Sequence, residues 1–160
     1  MPKVCLVLAA LVSWTAACST EPSECGPREA VVRRVIDGDT VELASGERVR
    51  YLLVDTPEST GGTVECFGPE ARDENRALVE GRRVSLRYDA ECRDRYERLL
   101  AYVTVDGIDV NALLVEGGYA CTLVIPPNGG ERAAEFRALQ QSARGAALGL
   151  WGECAAVPCD

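Results

Sequence analysis

The β-branched runs of this chain are all short, and each is cut off by a residue that turns the backbone. Such a sequence winds into a small β structure. Ala30 to Ile36 and Thr40 to Leu43 are separated by Asp37-Gly38-Asp39, and Ser45-Gly46 makes a hairpin turn between Leu43 and Glu47-Arg48-Val49. The apolar run Tyr51 to Val54 is too short for a globular helix and is stopped by Pro57, which fixes its own φ and pushes Thr56 out of the helical region. It reads as a buried strand, the third before residue 55. Gly68-Pro69-Glu70 starts a helix that runs to about Glu80 and stops at Gly81. Arg83 to Tyr88 and Arg98 to Val105 make the fourth and fifth strands, the latter ended by Asp106-Gly107. Asp109 caps a helix from Val110 to Glu116, and Glu131 to Arg144 makes a third, with Ala134, Phe136 and Leu139 as core candidates. Five short strands with a helix after the third give an α+β, mainly β fold: a partly open, five-stranded Greek-key barrel of the oligonucleotide/oligosaccharide-binding (OB-fold) type with three helices.

With 160 residues, 47% of them hydrophobic, the chain suffices for one domain and one core. Met1 to Ala17 carries Lys3, an apolar run from Val4 to Val12 and the small-residue site Thr15-Ala16-Ala17, which fits a secretory signal and is too short to span a bilayer. A cysteine directly after small residues also resembles a lipoprotein site, so Cys18 is a candidate lipid anchor, with Thr15 standing where that motif usually has Leu. Residues 18–27 read as a tether and 28–160 as the folded domain. A protein located outside the cytoplasm, secreted or lipid-anchored, is expected, and a monomer.

Cys5 leaves with the signal and Cys18 is the lipid candidate, so Cys25, Cys66, Cys92, Cys121, Cys154 and Cys159 remain, which suggests three disulfides among 15 connectivities. No Cys-x-x-Cys pair and no histidine occur anywhere, which argues against structural zinc. Lack of histidine also removes Ser-His-Asp and Cys-His chemistry, leaving proton transfer to carboxylate, tyrosine or metal-bound water.

Chemistry concentrates at Arg50 to Glu58. Asp55, Thr56 and Glu58 are three oxygen donors within four positions, behind an arginine whose guanidinium can grip a phosphate through two parallel N–H bonds. Asp-Thr-Pro-Glu is equally an ordinary turn, with Pro at i+1. Asp37-Gly38-Asp39 adds a second acidic turn, and two such turns suggest one shared cation. Charge pulls the other way: without Met1 to Ala17 the chain has 16 basic and 25 acidic residues, a net of −9. An acidic domain needs a local basic patch to touch a polyanion. Arginines cluster at Arg33-Arg34, Arg48 with Arg50, Arg82-Arg83, and Arg93, Arg95 and Arg98, either as such patches or as a solvated surface.

Asp37-Gly38-Asp39-Thr40-Val41, Arg50 to Glu58, Phe67-Gly68-Pro69-Glu70-Ala71 and Asp94 to Tyr102 resemble the staphylococcal nuclease (thermonuclease) family in order and approximate spacing. Asn111 to Ala120 and Gly149-Leu150-Trp151 extend the resemblance over roughly Val31 to Trp151. It implies that Asp39 and Asp55 bind Ca²⁺ through side chains and Thr56 through its carbonyl. It implies Glu58 as the general base that positions water, Arg50 and Arg98 as the arginines on the scissile phosphate, and Tyr96 as a tyrosine near the 5′ phosphate. The implied activity is calcium-dependent hydrolysis of DNA and RNA with little sequence preference, by attack of a metal-adjacent water in line with the 5′ oxygen. A catalytically inactive barrel that only binds nucleic acid is the alternative, and a calcium-stabilised structural module a third.

The family usually has Gly on both sides of the second arginine, where this chain has Glu97 and Leu99. In an extended segment Asp94, Tyr96 and Arg98 would share one face, with Glu97 pointing away. At Thr122 to Ile125 the chain lacks the tyrosines that pack on the nucleotide in the staphylococcal enzyme, so weaker base contacts are expected. A straight strand would also aim Arg50 and Asp55 at opposite faces, so a bulge or a terminal turn must bring them together. From the family alignment Cys66 is expected to pair with Cys92, with Cys121–Cys154 and Cys25–Cys159 completing the set.

Overall fold

The computed structural model describes residues 24–62 and 64–157; the expected signal Met1 to Ala17, Cys18 and Cys159 lie outside them. Among the described residues six strands and four helices follow in the order β1 (Glu29–Asp37), β2 (Thr40–Leu43), β3 (Arg48–Tyr51), α1 (Gly68–Val79), β4 (Arg83–Arg87), β5 (Leu99–Val105), β6 (Ile108–Asp109), α2 (Val110–Glu116), α3 (Ala133–Gly145) and α4 (Leu150–Glu153). The sheet order is β3-β2-β1-β4-β5-β6. A parallel pairing of β3 with β5, Val49 opposite Leu99 and Arg50 opposite Leu100, closes the first five strands into a barrel. Strand β1 serves both halves because it is long: its start pairs with β4 and its end with β2, with irregularities between Val32 and Arg34 and between Val35 and Asp37. Such bulges bend a strand and let one strand turn the barrel corner.

Alternation sets the inside. Val32, Val41, Leu43, Val49, Tyr51, Leu99, Ala101 and Val103 meet in one core with Leu114 of α2 and Phe136 of α3. On α3 the buried positions are Ala133, Phe136 and Ala143, with Leu139 packed against the core; Ala134 is exposed, one position off the buried stripe. Two elements come in addition to the expected ones. Asp106 and Gly107, both at positive φ, form the tight turn that pairs β6 back on β5, and α4 makes a single turn at the C-terminal end. Among the described residues no helix is long and apolar enough to cross a membrane.

The run Tyr51 to Val54 is not a strand throughout. β3 ends at Tyr51, and Leu53 takes φ 62, a left-handed conformation that turns the chain while Leu52, Leu53 and Val54 stay buried. The apolar pattern signalled burial correctly, but burial does not distinguish a strand from a turn packed under the core. Asn111 of α2, fully buried, holds that turn by donating to the Leu52 carbonyl at 2.8 Å while accepting from the Val103 N–H, also at 2.8 Å.

The cysteines pair differently from the expectation. Cys25 joins Cys92 and Cys66 joins Cys154, so neither the Cys66–Cys92 nor the Cys25–Cys159 pair forms. Cys121 is disulfide-bonded as well, but Cys154 is already taken, which excludes Cys121–Cys154. The loop before α1 lies against the chain end after α4, and the segment before β1 lies against the loop before β5; proximity in the barrel, not position in the sequence, chose the partners. Sequence separations of 67 and 88 residues are each worth about 4 kcal/mol in the chain-entropy account.

Candidate active site

The turn at Leu53 resolves the difficulty of aiming Arg50 and Asp55 at one place. Reversal of the chain brings Asp55 back over β3, where the Arg50 Nη2 lies 3.0 Å from Asp55 Oδ1 and 3.0 Å from Asp39 Oδ2. Arg50 Nη1 donates to the carbonyls of Tyr51 and Val54, so one guanidinium ties the end of β3, the turn and both acidic segments together. Asp55 is fixed from the other side by a two-bond backbone bridge to Cys121, at 2.9 and 2.8 Å.

The two acidic turns lock onto each other through Asp39. Its Oδ2 accepts the Thr56 N–H at 3.0 Å and its Oδ1 the Thr40 hydroxyl at 2.9 Å. Gly38 permits this approach, because a Cβ there would stand 2.6 Å from the Thr56 side chain. Asn75, buried on the face of α1 that also presents Ala71 and Val79, supports the arrangement from behind: it donates to the Asp37 carbonyl and accepts from the Tyr51 hydroxyl at 3.0 Å. The signal for it was in the sequence, since an amide at a core position of an amphipathic helix must find buried partners.

Arg98 approaches from the start of β5, where the β3–β5 pairing brings it to the same side of the barrel as Arg50. The segment before it is not extended. Arg93 bridges Leu99, the Glu97 N–H donates to the Asp94 carbonyl and the Asp94 N–H to the Arg98 carbonyl, closing a tight loop over residues 95–97. Strand alternation therefore does not govern this loop. Asp94 and Arg98 meet because the loop closes: Arg98 Nε and Nη2 both lie 2.7 Å from Asp94 Oδ2, while Asp94 Oδ1 accepts the N–H groups of Tyr96 and Arg98. Burial alone would raise the Asp94 carboxyl, but the hydrogen bonds from Arg98 and Tyr96 hold it below the usual carboxylate range. Tyr96 stands exposed at the loop tip, its ring facing the Arg95 and Arg98 guanidiniums at 4.8 and 5.4 Å.

Glu97 takes φ 61, the left-handed conformation that favours glycine and costs an L-residue about 1 kcal/mol. This is the position where the resemblance leads one to expect Gly. Glu97→Gly is therefore expected to raise the melting temperature by roughly 2–4 °C, less the part lost to the greater freedom of glycine in the unfolded chain. Thermal melting followed by circular dichroism checks this, and a lower melting temperature would contradict it.

Arg50, Arg98 and Tyr96 line a pocket of about 490 Å³ together with Leu123, Ile125 and Asn128. Ile125 is exposed, and neither Leu123 nor Ile125 carries a ring, so these two side chains offer contact area without a stacking plane. Glu58 is exposed, and Asp39, Asp55 and Thr56 are joined to the pocket through Arg50.

The sequence pattern described as staphylococcal nuclease homologue matches residues 48–153. This chain belongs to the staphylococcal nuclease family. It is 36% identical over 126 residues to the thermonuclease of Staphylococcus intermedius, covering 76% of this chain and 74% of that protein. It is also 36% identical over 126 residues to endonuclease YncB of Bacillus subtilis, covering 75% of this chain, and 33% identical over 131 residues to the SPbeta prophage-derived endonuclease YokF of the same organism, covering 78%. The matched segments span 60% and 44% of those two Bacillus proteins.

A staphylococcal nuclease family member brings the question of a cation to these carboxylates. Among the described residues no cluster of three or more His, Cys, Asp or Glu side chains is gathered as a metal cage. The donor set offers two carboxylates and the Thr56 backbone, with Asp37 close behind, and its electrostatics call for positive charge. Burial, then the charge of Asp39, push the Asp37 carboxyl up to about 7. The Asp55 carboxyl is raised by burial, and the charges of Asp39, Glu58 and Glu65 work in the same direction against Arg50. One guanidinium does not neutralise this group, and a hard cation with flexible oxygen ligation fits it.

The pH dependence follows with a definite sign. Asp37 keeps in the folded state a proton that the unfolded chain releases near 3.8, so its contribution to stability falls as pH rises from about 4 to about 7. A bound cation favours the ionised carboxylate, so if the site takes a cation such as Ca²⁺ the stabilisation it gives should grow over the same window. Melting temperatures with and without CaCl₂ across that range check it; a calcium shift that is flat with pH would contradict it.

Proposed function

We propose that the protein is an exported, monomeric, calcium-dependent nuclease that hydrolyses phosphodiester bonds of DNA and RNA with little sequence preference. The observation that carries this reading is the junction at Arg50: a guanidinium and two candidate cation ligands share one locus on a staphylococcal nuclease barrel, with Arg98 lining the same pocket. Asp39 and Asp55 would hold the cation through their carboxylates and Thr56 through its carbonyl. When bound, Ca²⁺ supplies positive charge beside the phosphate and lowers the pKa of neighbouring water.

The rest of the chemistry belongs to side chains. Glu58 takes a proton from the attacking water, a step its exposed carboxylate allows. Arg50 and Arg98 bind the scissile phosphate and stabilise the charge that develops on it as the bond to the 5′ oxygen breaks. Arg50 can do so only when its Nη2 leaves Asp39 and Asp55, and a cation on those two carboxylates replaces the charge it takes away. Tyr96 borders the same pocket and would contact the 5′ phosphate. Export accords with the signal-like Met1 to Ala17 and with disulfides, which persist in oxidising compartments. Lipidation at Cys18 is read by mass spectrometry of the native N-terminus.

Digestion of plasmid DNA and of RNA with Ca²⁺, and again with EGTA, tests the proposal. Cleavage that EGTA abolishes is expected. Binding of either polymer without any Ca²⁺-dependent cleavage by correctly disulfide-bonded protein would overturn it and establish the inactive nucleic-acid-binding module instead.

A further inference from the structure

Three arginines outside the pocket fall on one face of the barrel. Val49 and Tyr51 of β3 point into the core, so Arg48 and Arg50 share its outer face, two residues and about 6.6 Å apart. The β2–β3 register sets Arg48 opposite Glu42, and the β1–β2 register sets Arg34 opposite the same Glu42. The bulge between Val32 and Arg34 adds Arg33 to this row, so both Arg33 and Arg34 reach Glu42; Arg34 Nη2 lies 2.7 Å from Glu42 Oε2 and Arg33 meets the other oxygen. Continued one step, the parallel β3–β5 register brings Arg48 level with Arg98.

Two arginines thus pair with one carboxylate and a third stands opposite it in the strand register, leaving two net positive charges on a chain whose formal net charge is −8. Glu42 is almost fully buried whereas Arg33, Arg34 and Arg48 are exposed, so the negative charge is covered and the positive ones face solvent. Arg48 makes no ion pair among the described residues. The nearest acid on its strand edge, Glu47, is committed to Arg93 at 2.7 Å.

We infer that Arg48, Arg34 and Arg33 form a phosphate-binding track that leads away from the active-site pocket across the outer face of β3, β2 and β1. Its occupant is the sugar–phosphate backbone of the same polynucleotide strand whose scissile phosphate sits at Arg50 and Arg98, and in this the inference rests on the nuclease reading. The row from Arg48 to Arg34 crosses two strand spacings, about 10 Å. Together with the step from Arg50 to Arg48 this places guanidiniums under several successive phosphates. Guanidinium forks suit phosphate, and such binding carries no base information, in keeping with cleavage of little sequence preference. Glu42 holds Arg33 and Arg34 side by side and keeps their mutual repulsion from splaying them.

The test is the salt dependence of binding, read by fluorescence anisotropy of a dye-labelled oligothymidylate in the presence of EDTA. Removing one phosphate-binding guanidinium should flatten the slope of log K against log salt by about 0.7. Arg48→Gln breaks no ion pair among the described residues, and it is expected to reduce the slope by about 0.7 and weaken binding about fivefold at 0.1 M salt. The triple change R33Q/R34Q/R48Q is expected to reduce it by about 2. Arg137→Gln, which removes the same charge from the exposed side of α3, is expected to change neither quantity. Slopes for Arg48→Gln that match Arg137→Gln would overturn the track whether or not the protein cleaves. A flattened slope for Arg48→Gln, beside a wild-type protein that never cleaves with Ca²⁺, would sink the nuclease reading and leave the track standing.

Discussion

Glu58→Gln is expected to lower kcat by about 10²–10⁴ while leaving polynucleotide binding nearly unchanged, the usual loss when one general base is removed. What makes the result interpretable is how Glu58 is held. Its N–H donates to Glu65 Oε2 at 2.8 Å and its carbonyl accepts the Glu65 N–H at 2.9 Å, so the backbone is clamped from both sides. At the start of α1, Gly68 packs so closely that a Cβ would stand 2.4 Å from the Glu58 carbonyl oxygen. The carboxylate, by contrast, is exposed. An isosteric amide therefore keeps the fold and the clamp and loses only the proton acceptor. Single-turnover cleavage beside anisotropy binding separates the two, and a kcat within a few-fold of wild type would remove Glu58 from the chemistry.

Arg98→Lys is expected to be at least as damaging, with a loss in the range of about 10³–10⁵ that a transition-state arginine can carry in phosphoryl transfer. The charge is conserved, so geometry is what fails. Arg98 spends Nε and Nη2 on Asp94 Oδ2 and still presents further N–H groups of a rigid fork toward the pocket it lines. A lysine ammonium has one nitrogen and cannot hold Asp94 and a phosphate in the same fixed plane. Melting temperature should change little, because lysine keeps a positive charge beside Asp94 and the pair stays partly solvent-accessible, where such pairs contribute about 1 kcal/mol or less. An Arg98→Lys protein that cleaves within about tenfold of wild type would show that Arg98 acts only as a point charge.

Two non-glycine residues in left-handed conformation flank the pocket, Leu53 at the turn after β3 and Glu97 at the tip of the loop before β5. Each of these turns sets the approach of an arginine proposed to bind the phosphate, Arg50 in one case and Arg98 in the other. Strain of about 1–3 kcal/mol persists only where the surrounding structure over-determines the backbone. Buried Asn111 and the Asp55–Cys121 bridge do this for Leu53, and the Asp94 cap does it for Glu97.

Much of this was legible in the sequence. Turn residues cut the β-branched runs into short strands because Gly, Pro and Asp act locally, and the closing glycines set the helices for the same reason; the bounds of β2, β4, α1 and α2 fall within a residue or so of those signals. Asp39, Asp55, Thr56 and Arg50 could be singled out because a second acidic turn, Asp37-Gly38-Asp39, tips a motif that alone reads as an ordinary turn toward a shared cation. The structure joins these four directly, and sets Arg98 and Tyr96 along the same pocket. Other features depended on distances no local pattern encodes. Six cysteines look alike along the chain, and only the barrel's closure decides that Cys25 lies beside Cys92 and Cys66 beside Cys154. An apolar run says that Tyr51 to Val54 is buried; only packing against α2 says that it turns at Leu53, and without that turn Arg50 and Asp55 would face opposite ways. Nor does a count of charges show that Arg33 and Arg34 pair with one carboxylate while Arg48 stands opposite it, because the bulge and the strand registers that bring them there exist only once the sheet is paired.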